Sequence, residues 1–220
     1  MPISSYATPE RKGAYGLTPE PTSSDLRLYP GSWADRRRAV MQDAVTTDAL
    51  MLLANDWDGD IREAVAAHPS TSSDILAVLA KDPDWSVRHR VAQNPTTAAD
   101  VLDRLAKEDN IVIQMAVASN PKTEAATLTS LAKSAKSSVR AAVANHANTP
   151  NQLLQLLAKD ASEMVRASAA THPTRPIKLL RVLSEDACKE VRELATLYAG
   201  QIQYGRFGGN GQPTTNGVTL

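Results

Sequence analysis

The chain has 220 residues, with 24 lysines and arginines balanced by 24 aspartates and glutamates, and only 4% aromatic residues. A net charge of zero gives no bulk-charge argument for a dedicated nucleic-acid or membrane-surface binder. The single cysteine, Cys188, excludes a disulfide framework and any thiolate-rich zinc or iron–sulfur site.

The chain divides by composition. Residues 1–33 form a Pro/Ser/Tyr-rich arm holding Tyr6, Tyr15, Tyr29 and Trp33. Its opening, MPISSYATPERKG, lacks the basic-then-apolar pattern of a signal peptide. Nowhere is there an apolar run of about 18 residues, so no membrane span is expected. A cytoplasmic location is expected from these two readings, with a place in a viral particle as the alternative.

Residues 34–199 repeat with a period of 26 and no insertions. Apolar-then-polar pairs recur at Ile61-Arg62, Val87-Arg88, Ile113-Gln114, Val139-Arg140, Val165-Arg166 and Val191-Arg192. In the same register lie Ala66, Ala92, Ala118, Ala144 and Ala170, then Pro69, Pro95, Pro121, Ala147 and Pro173. A degenerate unit over 35–60 precedes five full units over 61–190, and a half unit starts at 191. Each unit reads as two short helices. Apolar residues at i, i+4 and i+5, as in Val87, Val91 and Ala92, share one face of the first helix. That helix must stop at the residue before proline, where the helical conformation is disfavoured. Thr71 with Asp74, Thr97 with Asp100 and Thr149 with Gln152 then read as capping boxes opening the second helix. Such a pair cannot bury its own apolar stripe, whereas stacked neighbours can.

The consensus V-R-x-x-V-A-x-N-P-x-T-x-x-x-x-L-x-x-L-A-x-D resembles the leucine-rich repeat variant (LRV) family, over about three quarters of the chain. That family is related to HEAT-like superhelices, alkylpurine DNA glycosylases among them. The resemblance implies an all-α fold: a right-handed α-solenoid of about six to seven 26-residue two-helix repeats, with irregular terminal arms. An LRV protein with a Cys-rich iron–sulfur segment before its repeats is the form associated with this pattern. No such segment stands here, so no redox function and no cofactor is inherited.

Four charged or polar columns are candidates for function. Asp56, Asp82, Asp160 and Asp186 stand six residues before Arg62, Arg88, Arg166 and Arg192. They read as a structural ladder, each acid capping the next helix and each arginine bridging units. Glu108 and Arg140 belong to the same columns, which Ser134 and Gln114 interrupt. Lys81, Lys107, Lys133 and Lys159 end the second helices, where the helix dipole favours a cation. They are also the residues a nucleic-acid backbone would meet. His68, His146 and His172 share one column, one repeat or more apart, so they cannot converge on a metal.

Residues 200–220 form a Gly-rich tail with Tyr204, Arg206 and Phe207. Between 34 and 197 the only aromatics are Trp57 and Trp85, candidate anchors on the solenoid edge. Aromatics and arginine are the usual anchors of interfaces. The expected function is therefore a non-enzymatic interaction scaffold, or an accessory subunit of a bacterial or viral assembly. Its arms, through Tyr6, Tyr15, Tyr29, Trp33, Tyr204, Arg206 and Phe207, would bind a protein partner or a sister copy. The alternative is a nucleic-acid-binding HEAT-like protein, a DNA glycosylase relative, using the lysine and arginine columns.

Overall fold

The computed structural model of the chain describes residues 32–42 and 45–206, and the side chains as far as Gln201. These residues form thirteen α-helices and, among the described residues, no strand. The helices are α1 (Trp33–Val40), α2 (Thr47–Leu53), α3 (Gly59–Ala67), α4 (Ser73–Leu79), α5 (Trp85–Gln93), α6 (Ala99–Leu105) and α7 (Ile111–Ser119). There follow α8 (Ala125–Leu131), α9 (Ser137–Asn145), α10 (Asn151–Leu157), α11 (Glu163–Thr171), α12 (Ile177–Leu183) and α13 (Lys189–Arg206). The 26-residue period is a nine-residue odd-numbered helix alternating with a seven-residue even-numbered one. The all-α repeat solenoid expected from the pattern is the observed fold.

Two boundaries differ from expectation. Trp33 is not arm but the first residue of α1, capped by Ser32. Helix α13 runs to Arg206, so the expected break after residue 199 falls inside a helix that carries Tyr204 and Arg206.

Every odd helix from α3 to α11 ends on the histidine or asparagine column. His68, Asn94, Asn120, His146 and His172 all have ψ between 125° and 138°, out of the helical region. Proline after four of them enforces that conformation. His146 adopts it before Ala147, so at that turn something other than proline holds the bend.

Successive odd helices pack directly on one another, and each even helix packs against the odd helices flanking it in the chain. The core is one continuous column between these layers. Its odd-helix side is the fully buried Ile61, Val87, Ile113, Val139 and Val165, with the alanines Ala66 to Ala170 beside them. Its even-helix side is Leu76, Leu102, Leu128, Leu154 and Leu180. Burying each leucine stabilises the stack by about 1.5–3 kcal/mol, and the alanines leave room for the odd helices to approach.

The threonine column does not open the even helices. Thr71, Thr97, Thr123 and Thr149 are buried, and each hydroxyl donates back to the carbonyl of Val65, Val91, Val117 or Val143, at 2.5–2.6 Å. The next residue takes the cap position, and of the even helices only α2 and α4 receive a side-chain cap bond, from Thr46 and Ser72. The odd helix leaves carbonyls unsatisfied at its C-terminal end, inside the core, and a buried hydroxyl is needed there more than at an exposed N-terminus. In the last unit Arg175 replaces the threonine and lays its guanidinium 4.1 Å from the Tyr198 ring centre.

Candidate functional site

The arginine column forms a ladder along one edge, interrupted at one rung. Arg62 reaches forward to the Asp82 carboxylate, with Nε–Oδ2 2.6 Å and Nη2–Oδ1 3.0 Å, and back to the Asp56 carbonyl at 2.8 Å. Arg88 with Glu108, Arg140 with Asp160 and Arg166 with Asp186 repeat the pair. Arg192 ends the row on the Asp186 carbonyl. Arg36, exactly one period before Arg62 in register, begins it on Asp56 at 2.7 Å. Arg36 was absent from the sequence-derived ladder, although the period alone points to it.

The acids act differently from the expected caps. Asp56, Asp82, Asp160 and Asp186 accept from the backbone N–H two residues on, closing the turn before each odd helix. The caps proper are Asp58, Asp84 and Asn110. The bond from Arg140 holds the Asp160 carboxyl below its usual pKa, and Arg166 does the same to Asp186. These ion pairs occupy Arg62, Arg88, Arg140 and Arg166.

The two breaks in the ladder meet in one rung. Gln114 donates to the Glu108 carbonyl at 2.8 Å, as an arginine would, and its Oε1 lies 3.5 Å from the Ser134 hydroxyl. A cation and its anion have both been replaced by neutral groups at one place. Sequence spacing alone does not show this, because the partners are twenty residues apart.

A second ladder lies at the other end of the odd helices. The Asn94 amide donates to the carbonyls of Ala66 and His68, and Asn120 donates to those of Ala92 and Asn94. His146 Nε2 lies 2.8 Å from the Asn120 carbonyl, and His172 Nε2 lies 2.9 Å from that of His146. In both histidines Nδ1 accepts a backbone N–H two residues on, so Nε2 carries the proton and donates. Histidine and asparagine are interchangeable here because both present an acceptor and a donor at similar reach. This is what holds the turn at His146 without proline. Among the described residues no group of His, Cys, Asp and Glu is arranged to hold a metal ion.

The remaining candidate residues are dispersed. Lys81, Lys107, Lys133 and Lys159 are exposed beside the C-terminal ends of the even helices, Lys107 pairing with Asp103 at 2.7 Å. Trp57 and Trp85 are each about half exposed at neighbouring turns; Arg36 covers the Trp57 ring at 5.3 Å and His89 lies against Trp85. Burial lowers the pKa of His89, favouring its neutral form. The Cys188 thiol donates to Glu190 at 3.0 Å, and that bond raises its pKa. Trp33 is exposed with Arg37 over its ring. Tyr6, Tyr15, Tyr29 and Phe207 lie outside the described residues, as do the side chains of Tyr204 and Arg206.

One surface was not read from the sequence. The outward face of α7, α9 and α11 carries Val112, Met115, Ser138, Asn145 and Met164 over a floor that includes Ala142. The charged residues on these three helices are Arg140 and Arg166, both held in the ladder, and Glu163 in the first turn of α11. The neighbours differ: α3 carries Asp60 and Glu63, α5 Arg90, and α13 Glu190 and Glu193. At the end of the face near the His/Asn ladder a cavity of about 280 Å³ opens between α7 and α9. Ser119, Pro121, Asn145 and Ala147 are among its lining, so the one alanine in the proline column stands on it.

With this geometry in place, residues 59–84 match the family model described as leucine rich repeat variant. A solved structure described as a leucine-rich repeat variant with a novel repetitive protein structural motif is similar to the chain, with a TM-score of 0.60 and 23% identity. The similarity covers 77% of this chain and 67% of that one. No curated protein matches the chain.

Proposed function

For a chain that is an α-solenoid of the leucine-rich repeat variant and HEAT-like kind, we propose the role of a non-enzymatic interaction scaffold. The solenoid is a stiff spacer, and the terminal aromatic segments fasten it to a protein partner or a sister copy in a larger bacterial or viral assembly. The observation that carries this reading is the use made of the charged columns. Four of the column arginines, Arg62, Arg88, Arg140 and Arg166, spend their guanidinium on a carboxylate twenty residues along, in the next repeat. The buried histidines spend their rings on backbone carbonyls. Groups committed to holding repeats together make a rigid body rather than a reacting centre. The anchors then come from Tyr6, Tyr15, Tyr29, Trp33, Tyr204, Arg206 and Phe207, whose burial contributes about 1.5–3 kcal/mol per aromatic against about 1–2 kcal/mol per ordered backbone residue.

A second reading rests on Lys81, Lys107, Lys133 and Lys159, which form an exposed row with one lysine per repeat. A nucleic acid bound to such a row would be lost steeply with salt. Sedimentation and pull-down of the full chain against residues 34–199, with and without nuclease, separate the two. The scaffold reading expects association to be lost with the terminal segments and to survive nuclease. Full association by residues 34–199 alone refutes the fastening role, and nuclease-sensitive, salt-sensitive capture supports the lysine row.

A further inference from the structure

The outward side of the even helices is complementary to itself. We propose that two copies of the chain pair through it, α4 on α4 and α6 on α6, each helix antiparallel to its counterpart about a two-fold axis running along the repeat direction.

The pattern begins on one helix. Each even helix packs on the odd layer, and its other side is open. On α4 that side presents Asp74, Ala77, Val78 and Lys81, spaced i, i+3, i+4 and i+7, one stripe of a helix. Lys81 stays in the stripe because its N–H reaches the Val78 carbonyl at 3.0 Å and prolongs the last turn. The stripe has an acid at one end, a cation at the other and an apolar centre, with Val78 58% exposed. Helix α6 repeats the outer charges with Asp100 and Lys107 and places Asp103 and Arg104 at the centre. Among the described residues, Asp74, Asp100 and Lys81 make no ion pair within the chain. Lys107 holds Asp103, but both side chains are exposed, so that pair is exchanged at little cost.

Charge selects the arrangement. If two such faces meet with their helices parallel, aspartates lie on aspartates and lysines on lysines. If the helices are antiparallel, Asp74 lies on the second copy's Lys81, Asp100 on its Lys107 and Asp103 on its Arg104, with Ala77 and Val78 against each other at the centre. A two-fold axis makes each of these contacts twice, as an isologous interface requires. At about 8–10 Å between helix axes these side chains reach one another. The far end of the row separates this account from a local one. The helix dipole favours an acid at a helix N-terminus and a cation at its C-terminus, which explains Asp74 and Lys81 without any partner. On α12 the order is reversed, with Lys178 in the first turn and Glu185 after the last. The dipole disfavours that order, whereas antiparallel pairing still sets Lys178 on the second copy's Glu185. In the Val78 column Leu52, Leu156 and Val182 are also exposed, at 44–69%. The pairing rests on the scaffold reading for a sister copy as partner, but it needs no terminal segment. Residues 34–199 would keep the dimer and lose only association beyond it.

Sedimentation velocity of the nuclease-treated full chain reads the dimer. Asp74→Lys and Lys81→Asp, both at exposed positions, each set like charges against each other, and each variant alone should dimerise at least about 100-fold more weakly than the native chain. Mixed in equal amounts, the two variants should recover the native affinity, because each copy then meets its opposite. In the Cys188→Ser background, Val78→Cys should give a disulfide-linked dimer on mild oxidation, since the pairing brings the two copies of that position together. A native chain that stays monomeric at about 1 mM overturns the inference. So does a mixture no more dimeric than its components. A dimer that both single variants leave intact is held by other contacts; it overturns this pairing and leaves the scaffold reading standing.

Discussion

Transplanting the neutral rung tests whether the ladder works as pairs. In the double variant Arg140→Gln/Asp160→Ser, the rung between α9 and α11 takes the chemistry that Gln114 and Ser134 have in the native chain. Asp160 accepts from Arg140 at 2.7 and 2.8 Å and from the Ser162 N–H at 2.8 Å, and the two ladder side chains are 18% and 11% exposed. At an effective dielectric of about 20 their attraction is about 4 kcal/mol before desolvation. Removing the carboxylate alone leaves a mostly buried guanidinium without its anion, and Asp160→Ser is expected to cost about 3 kcal/mol. Arg140→Gln alone is expected to cost about 2 kcal/mol, since the amide still reaches the Ser134 carbonyl as Gln114 reaches that of Glu108. The double variant removes charge from both sides and should cost about 2–3 kcal/mol, giving a coupling of about 2 kcal/mol. Urea melts monitored by circular dichroism measure the four corners of the cycle, with hydrogen exchange in α9 and α11 locating the loss. Additive single effects, within about 0.5 kcal/mol, would show that the arginines and acids act separately and would refute the paired-rung account.

Leu131, 3% exposed between α8 and its neighbours, should lose about 2–5 kcal/mol on truncation to alanine, whereas Gln155→Ala on the outer face of α10 should stay within about 0.5 kcal/mol; equal urea midpoints would contradict the core assignment. Hydrogen exchange should show α7 to α9 opening before the other internal helices, because the rung between Gln114 and Ser134 is neutral; uniform protection would refute it. His146→Asn should be tolerated, since Asn94 and Asn120 make the same bonds, while His146→Ala should cost about 2 kcal/mol by orphaning the Asn120 carbonyl and the Asn148 N–H; equal melting of the two variants would contradict this. The depressed pKa values of Asp160 and Asp186 give stability that is present above the unfolded carboxyl value of about 3.9 and is lost as pH falls through the folded values. Urea midpoints should therefore fall below about pH 4, and less so in Arg140→Gln/Asp160→Ser; an identical acid limb in the two proteins would assign the loss to other groups.

The sequence by itself determined the architecture. A 26-residue period fixes where each helix can lie, because apolar spacing sets its buried face and proline sets its end, and neither depends on distant residues. The ladder of Arg62, Arg88, Arg166 and Arg192 was legible for the same reason. What the tertiary structure decided is how the polar groups are shared. Thr71 and its equivalents have the chemistry of caps, yet they donate to the carbonyl six residues back, because the stack buries that carbonyl and leaves the even-helix N-terminus near water. Asn94 and His146 read as turn residues, and only stacking puts the carbonyls of the preceding repeat within reach. Gln114 and Ser134 read as two defects, and only the fold brings them together as one neutral pair. The sparsely charged face of α7, α9 and α11 is likewise assembled from residues 26 apart. No single helix displays it, and it exists only once three repeats stand side by side.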